Sequence, residues 1–201
     1  MSEAWHPEKL QIRRMTLQDV DQVMLVEKRS FTAPWSRQAF MTELIDNHLA
    51  RYIVAEYSGR VIGYAGVWMI IDEGHVTNIA VDPDFRGKYL GDKLLRALMS
   101  ICMAQGGKKM TLEVRVTNHV AQKLYEKYGF ERVGIRKGYY TDNREDALIM
   151  WADLPPVSPV SSSEQSGGGT LGGTLGGGLG GSFGGGFGGN FGGGFGGGTL
   201  D

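Results

Sequence analysis

Three groups of residues have types and spacings that suit chemistry. The first is Arg86-Gly87-Lys88-Tyr89-Leu90-Gly91, a short basic loop that follows a strand-like run and feeds a helix-like one. Free backbone N–H groups and the positive end of a helix dipole favour a phosphate there; an ordinary loop of solvated charges is the plainer alternative. The second is Leu112-Glu113-Val114-Arg115-Val116-Thr117-Asn118. Period-two alternation puts Leu112, Val114 and Val116 on one face, and Glu113 with Arg115 on the other. A carboxylate on an otherwise apolar strand serves as a proton acceptor or pairs with Arg115 or another cation. The third is Tyr125, whose hydroxyl suits proton donation and whose ring equally suits the core.

The elements that must position these groups alternate along the chain. Leu10 to Met15 reads as a strand. Thr16, with Asp19 three residues on, opens a helix carrying Val20, Val23, Met24 and Val26. A second helix follows from Ser36 to about Asp46. Arg51 to Tyr57 and Arg60 to Ile71 are strands joined by a Ser58-Gly59 hairpin turn. His75 to Val81 is a strand stopped by Asp82-Pro83-Asp84. Leu90, Leu94, Leu95, Leu98, Met99 and Cys102 recur at helical spacing, and Gly106-Gly107 ends that helix. Lys109 to Val116 is a strand, and Asn118 caps a helix that closes at Gly129. Phe130 to Ile135 and Ala147 to Trp151 are the last strands. The order β-α-α-β-β-β-α-β-α-β-β predicts an α/β fold: a mixed, mainly antiparallel sheet flanked by helices.

Composition divides the 201-residue chain in two. Of 32 Gly residues, 21 lie after Ser166, where Leu and then Phe recur every fourth position. Each Gly costs a helix about 1 kcal/mol relative to Ala, and the apolar content is too thin to offset that. The expectation is one domain over residues 1–154 and a disordered, low-complexity tail over 155–201. The formal net charge of -1, with interspersed signs, argues against general nucleic-acid or membrane-surface binding. No apolar run approaches the roughly 18 residues of a membrane span, and the N-terminus lacks a signal-peptide core. A single cysteine, Cys102, fits a reducing, cytoplasmic home. His6, His48, His75 and His119 do not pair at metal-ligand spacing, so no metal is expected.

The run from Asn78 to Gly91 resembles the acetyl-CoA motif of the GNAT acetyltransferases, with Arg86 and Gly91 at its first and last positions. Leu-Glu-Val-Arg-Val-Thr-Asn, Leu124-Tyr125-Glu126-Lys127-Tyr128-Gly129-Phe130, Ala33-Pro34-Trp35-Ser36, and Tyr139-Tyr140 with Asn143 to Met150 are similar to one branch. That branch is the bacterial ribosomal-protein alanine N-acetyltransferase family, RimI. The resemblance covers about residues 10 to 152.

The resemblance implies acetyl-CoA as co-substrate and the N-terminal amine of a protein as acceptor, an alanine of small-subunit ribosomal protein 18. It implies Glu113 as general base and Tyr125 as general acid toward the thiolate. An α-amine has a pKa near 8, so at neutral pH a base must take its proton before it attacks a thioester. Backbone N–H groups at Ile79, Ala80 and Val81 are implied as donors to the developing oxyanion. The loop Arg86, Gly87, Lys88, Tyr89, Leu90, Gly91 and Asp92 is implied to hold the pyrophosphate, and Asn118 to contact the cofactor. Trp35, Tyr139 and Tyr140 would line the peptide side, or pack as core aromatics. Tyr89 stands where the family usually has Gly. We expect the loop to avoid a left-handed tyrosine by taking a right-handed geometry, leaving more of the phosphate contact to Lys88 and Arg86. Two other readings stay open: a broader acetyltransferase acting on other N-termini or lysines, and an interaction protein using its Gly/Phe tail.

Overall fold

The computed structural model describes residues 5–156. The expected tail lies, from residue 157 on, outside the described residues. Eleven principal elements follow one another: β1 (Leu10–Arg14), α1 (Val20–Ser30), α2 (Arg37–Ile45), β2 (Ala50–Tyr57), β3 (Arg60–Ile70), β4 (Glu73–Val81), α3 (Leu90–Ala104), β5 (Lys109–Arg115), α4 (His119–Lys127), β6 (Glu131–Arg136) and β7 (Ala147–Asp153). This is the order the sequence predicts.

Local chemistry explains the boundaries. Thr16 and Asp19 form the expected capping box, and a single 3-10 turn, Leu17–Asp19, intervenes before α1. Asp19 is also gripped by both terminal nitrogens of Arg13, at 2.8 and 2.7 Å. Ser36 caps α2 by accepting from Ala39 N–H, and Asn118 caps α4 by accepting from Ala121 N–H. Ser58 and Gly59 both have positive φ, 49° and 80°, as a two-residue hairpin of the primed type requires.

The strands form one sheet in the order β1-β2-β3-β4-β5-β7-β6. Every neighbouring pair is antiparallel except β4 and β5. On one face, Leu94, Leu95, Leu98 and Cys102 of α3 bury against Val67, Ile79, Met110, Leu112 and Val114. On the other, Val20, Val23 and Val26 of α1 and Phe40 of α2 cover Val54, Tyr64 and Ala80. Fully burying each such side chain stabilises the fold by about 1.5–3 kcal/mol before entropy is counted.

The parallel pair positions the site. Its ladder holds three residue pairs and ends at His75 with Thr111. Beyond it β4 runs on to Val81 and β5 to Arg115 without pairing, so the two strands part as a fork.

Candidate active site

One arm of the fork is β4. The N–H of Asp82 bonds Ile62 O on β3, and in an antiparallel ladder alternate residues face the partner. Ala80 therefore turns its N–H toward β3, while Ile79 and Val81 turn theirs into the fork. Of the three expected oxyanion donors, Ala80 is engaged by the sheet. The carbonyl of Val81 accepts from Ser30 Oγ at 3.3 Å and Arg86 Nε at 3.4 Å.

β4 leads into the basic loop and α3. A hollow of about 410 Å³ opens there, bounded by Arg86, Gly87, Tyr89, Leu90, Gly91 and Asp92. The first N–H groups of α3 have no intrahelical acceptor, so this end of the hollow suits an anion. Across it stand Val120, Lys123, Leu124 and Lys127 of α4. These lysines were not singled out in the sequence, although their four-residue spacing on a capped helix puts them on one face. Lys127 pairs with Asp92. Burial works to raise the Asp92 pKa, but its bonds to Lys127 and Tyr128 outweigh that and lower it.

Two expectations for the loop need correction. Tyr89 is left-handed, with φ 58° and ψ 26°, not right-handed. The connection into α3 demands that conformation whatever the residue, and the ring escapes crowding because it is 78% exposed. Lys88 is not on the wall of the hollow. Its Nζ sits 5.6 Å from the ring centres of Trp5 and Phe85, so it packs on the outer side of the loop.

The other arm is β5. Glu113 faces away from Leu112 and Val114, on the side of the sheet opposite α3, and its side chain is 15% exposed. Burial pushes its carboxyl above the usual range; the charges of Arg136 and His75 pull the other way without cancelling that. The cation near Glu113 is Arg136 of β6, at 3.4 Å. Arg115, the neighbour considered from the sequence, is taken by Asp142 at 2.8 Å and Glu145 at 2.9 Å.

Tyr125 of α4 is buried, and burial raises its phenol well above the ordinary value. It therefore holds its proton at neutral pH, as a donor must. Tyr140 joins the two: it lies in electrostatic reach of Tyr125 and Glu113, and its ring centre lies 3.8 Å from the Arg115 guanidinium. Tyr139 meets Tyr140 edge-on at 5.2 Å. The Tyr140 hydroxyl is buried with no hydrogen-bond partner among the described residues. Asn118 sits at the root of α4, its Oδ1 engaged by the cap.

Trp35 lies on the α1–α2 connection. Its backbone N–H donates to Glu27 at 2.7 Å, and its ring centre is 5.5 Å from that of Phe40. Glu27, itself buried, also accepts from the Tyr64 hydroxyl. Thr32 of the same connection donates to Asp142, the partner of Arg115. A second hollow, of about 460 Å³, lies between this connection, the end of β5 and residues 142–145. It shares Val120 with the first. Tyr140 thus links Glu113, Tyr125 and Tyr139 near the fork, while Trp35 packs on Phe40 and Glu27 on the α1–α2 connection.

A forked sheet with a basic loop feeding a helix on one arm and a largely enclosed carboxylate on the other suits acyl transfer. The chain belongs to the GNAT acetyltransferase family, whose model matches residues 20–130. It is 47% identical over 146 residues to a Bacillus subtilis (strain 168) protein provisionally named as a [ribosomal protein bS18]-alanine N-acetyltransferase. That match covers 73% of this chain and 97% of the relative. The [ribosomal protein bS18]-alanine N-acetyltransferase of Escherichia coli (strain K12) is 37% identical over 127 residues, covering 62% of this chain and 84% of its own. The crystal structure of the ribosomal-protein-S18-alanine N-acetyltransferase from Escherichia coli superposes with a TM-score of 0.68 at 31% identity. It covers 76% of this chain and 97% of that one. Among the described residues no helix is long and apolar enough to cross a membrane, and no group of three or more His, Cys, Asp and Glu is placed to hold a metal ion.

Proposed function

We propose that this chain transfers an acetyl group from acetyl-CoA to the α-amine of an N-terminal alanine, the acceptor being small-subunit ribosomal protein 18. The observation that carries the reading is Glu113 held on β5 beyond the point where β4 and β5 part, with Tyr140 in electrostatic reach of Glu113 on one side and Tyr125 on the other. The names of the relatives point to the same acceptor.

The residues fit acetyl-CoA. The loop from Arg86 to Asp92 and the start of α3 offer backbone N–H groups to the pyrophosphate, and Lys123 adds positive charge opposite, while Lys127 is paired with Asp92. Acetyl-CoA supplies an activated thioester. Ile79 and Val81 aim N–H groups into the fork, where negative charge develops on the carbonyl oxygen. Glu113 takes the proton that keeps the acceptor amine from attacking, and its raised pKa brings it closer to that task at neutral pH. Tyr125 gives a proton to the departing sulfur. The Tyr140 hydroxyl is costly to leave unpaired, and a polar group of the peptide backbone would satisfy it. Trp35 and Tyr139 complete the peptide side.

The site residues lie between Trp35 and Tyr140, so the catalytic body is residues 1–154, and a chain cut after Pro159 keeps the activity. We assign the enzyme to the cytoplasm, with a protein partner and neither nucleic acid nor membrane. Intact-mass analysis of competing peptides tests the reading. A peptide starting with Ala gains one acetyl group on its α-amine; one with a blocked N-terminus and free lysines stays unmodified. Preferential lysine acetylation would overturn it in favour of a broader acetyltransferase.

A further inference from the structure

The reaction read above has a proton to dispose of. At neutral pH the acceptor starts as an ammonium and ends as an amide, losing two protons, while the thiolate regains one. One proton per turnover must leave through the base. Glu113 is largely enclosed, with 15% of its side chain exposed, so a titratable neighbour nearer solvent would speed that release.

The groups around Glu113 narrow the choice. Arg136 reaches it from β6, and Arg115 lies two residues along its own strand. Tyr139 and Tyr140 come from the β6–β7 connection, and Tyr125 lies near Tyr140. Guanidiniums and phenols hold their protons at neutral pH and accept none from a carboxyl. The remaining neighbour is His75 of β4.

Strand register places it. Trp68, His75, Thr111 and Trp151 pair laterally across β3, β4, β5 and β7, so their side chains share one face. That face is the one α2 covers further along, because Trp68 Nε1 bonds Glu43 there. Glu113, two residues beyond Thr111, shares it. His75 is also the last β4 residue paired with β5, so it sits at the vertex of the fork. Its ring stands edge-on to Trp151 at 6.0 Å. Its Nε2 is 3.1 Å from Glu73 Oε2, and the two side chains are 35% and 39% exposed, so the pair reaches solvent. Lys109 lies opposite Glu73 on β5, and Glu131 opposite Trp151 on β6.

We propose that His75 is the proton exit for Glu113, with Glu73 positioning the imidazole. The inference rests on the reading of Glu113 as the base. The Glu113 carboxyl passes its proton to the neutral imidazole, directly or through one water, and becomes a carboxylate again. The imidazolium, held by Glu73, releases that proton to solvent and returns to its neutral form. Imidazole is the side chain suited to take up and release a proton in this pH range.

The test compares kcat against pH for the full chain, His75→Gln and Glu73→Gln, using acetyl-CoA and an alanine peptide. His75→Gln should lower kcat at pH 7 about tenfold, less than the 10²–10⁴-fold of losing a general base. Acetyl-CoA affinity and peptide KM should stay within about twofold, since uniform binding is untouched. Added imidazole should restore kcat in proportion to its concentration. Glu73→Gln, at an exposed position, should shift the acid limb of the kcat profile without changing the melting temperature. Superimposable profiles for His75→Gln and the parent chain would overturn the proposal. So would a loss of kcat that imidazole does not restore. Glu113→Gln run alongside separates the two levels. If it keeps full activity, the base assignment fails; if it is inactive while the His75→Gln profile is unchanged, only the exit role fails.

Discussion

The guanidinium of Arg136 lies 3.4 Å from the carboxylate of Glu113, although the strands that carry them are not hydrogen-bonded to each other. β7 runs between them, and Arg136 reaches across it. The contact sets the electrostatics of the candidate base. Burial raises the Glu113 pKa above 4.5, and Arg136 restrains that rise.

Removing that restraint has a definite sign. A base works only when deprotonated, so kcat/KM falls as pH drops through its pKa. In Arg136→Gln the carboxylate loses its partner, its pKa climbs further, and the acid limb moves to higher pH. Arg136 is 54% exposed, so solvent screens part of the effect and the upward shift should be modest. A pH–rate profile in the alanine-peptide assay measures it. An unmoved or lowered limb would separate Arg136 from the base.

Glu113→Gln keeps the shape of the side chain and removes proton uptake. Turnover at pH 7 should fall by about 10²–10⁴-fold. The acetyl-CoA dissociation constant should hold, because Glu113 does not line the hollow at the basic loop. Calorimetric titration with acetyl-CoA, paired with the mass assay, checks both. Activity within a factor of about two of the parent would remove Glu113 from the base role.

Tyr125→Phe separates donor from core residue. The ring packs 5.8 Å from Phe130 in either case, so melting should change little. A lost general acid should lower kcat by roughly 10²-fold or more, with peptide KM unaffected. Turnover equal to the parent's would assign Tyr125 to packing alone.

Much of the fold was legible because its punctuation is local. Thr16, Ser36 and Asn118 announce caps, Ser58-Gly59 announces a hairpin, and Leu90 to Cys102 keep a helical period. Glu113 stood out as a carboxylate between Leu112 and Val114. Its surroundings did not. Arg136 and His75 reach it only through the sheet order β4-β5-β7-β6, which no local pattern encodes. Glu27 was hidden differently: it falls beside Val23 and Val26 on the inward face of α1, where a pattern search counts only apolar residues. The hand of Tyr89 was expected wrongly as right-handed, because the link between β4 and α3, and not the residue type, sets it.

Glu27 offers a test of the peptide side. It accepts from Trp35 N–H on one oxygen and from Tyr64 on the other. Burial raises its pKa, so its favourable contribution is full below 4.5 and fades as pH rises through the folded value. Glu27→Gln should remove that decline while one amide oxygen still serves Trp35. Glu27→Ala leaves the Trp35 N–H without its acceptor and should cost about 1–3 kcal/mol. Because Trp35 then loosens, peptide KM should rise more in Ala than in Gln, with acetyl-CoA affinity unchanged in both. Thermal melts across pH 4.5–8 with steady-state kinetics check this; equal KM values in the two variants would dissociate Glu27 from peptide binding.

Tyr89→Gly tests the strain at the start of α3. A left-handed tyrosine costs roughly 1–2 kcal/mol that glycine does not incur. Glycine in turn loses more freedom on folding, by about 0.5–1 kcal/mol, so a net gain of about 0–1.5 kcal/mol remains. The exposed ring has little packing to forfeit. The variant should therefore melt a few degrees higher. Gly87, with φ 73°, already makes the other left-handed turn in this loop, so the path of the backbone should persist. The N–H groups then keep their directions, and acetyl-CoA should bind as tightly as before or more tightly. Weaker binding with a lowered melting temperature would mean that the Tyr89 side chain supports the loop in a way its exposure does not suggest. Differential scanning calorimetry with and without acetyl-CoA distinguishes the two, since a ligand that binds the folded chain raises its melting temperature by an amount fixed by affinity.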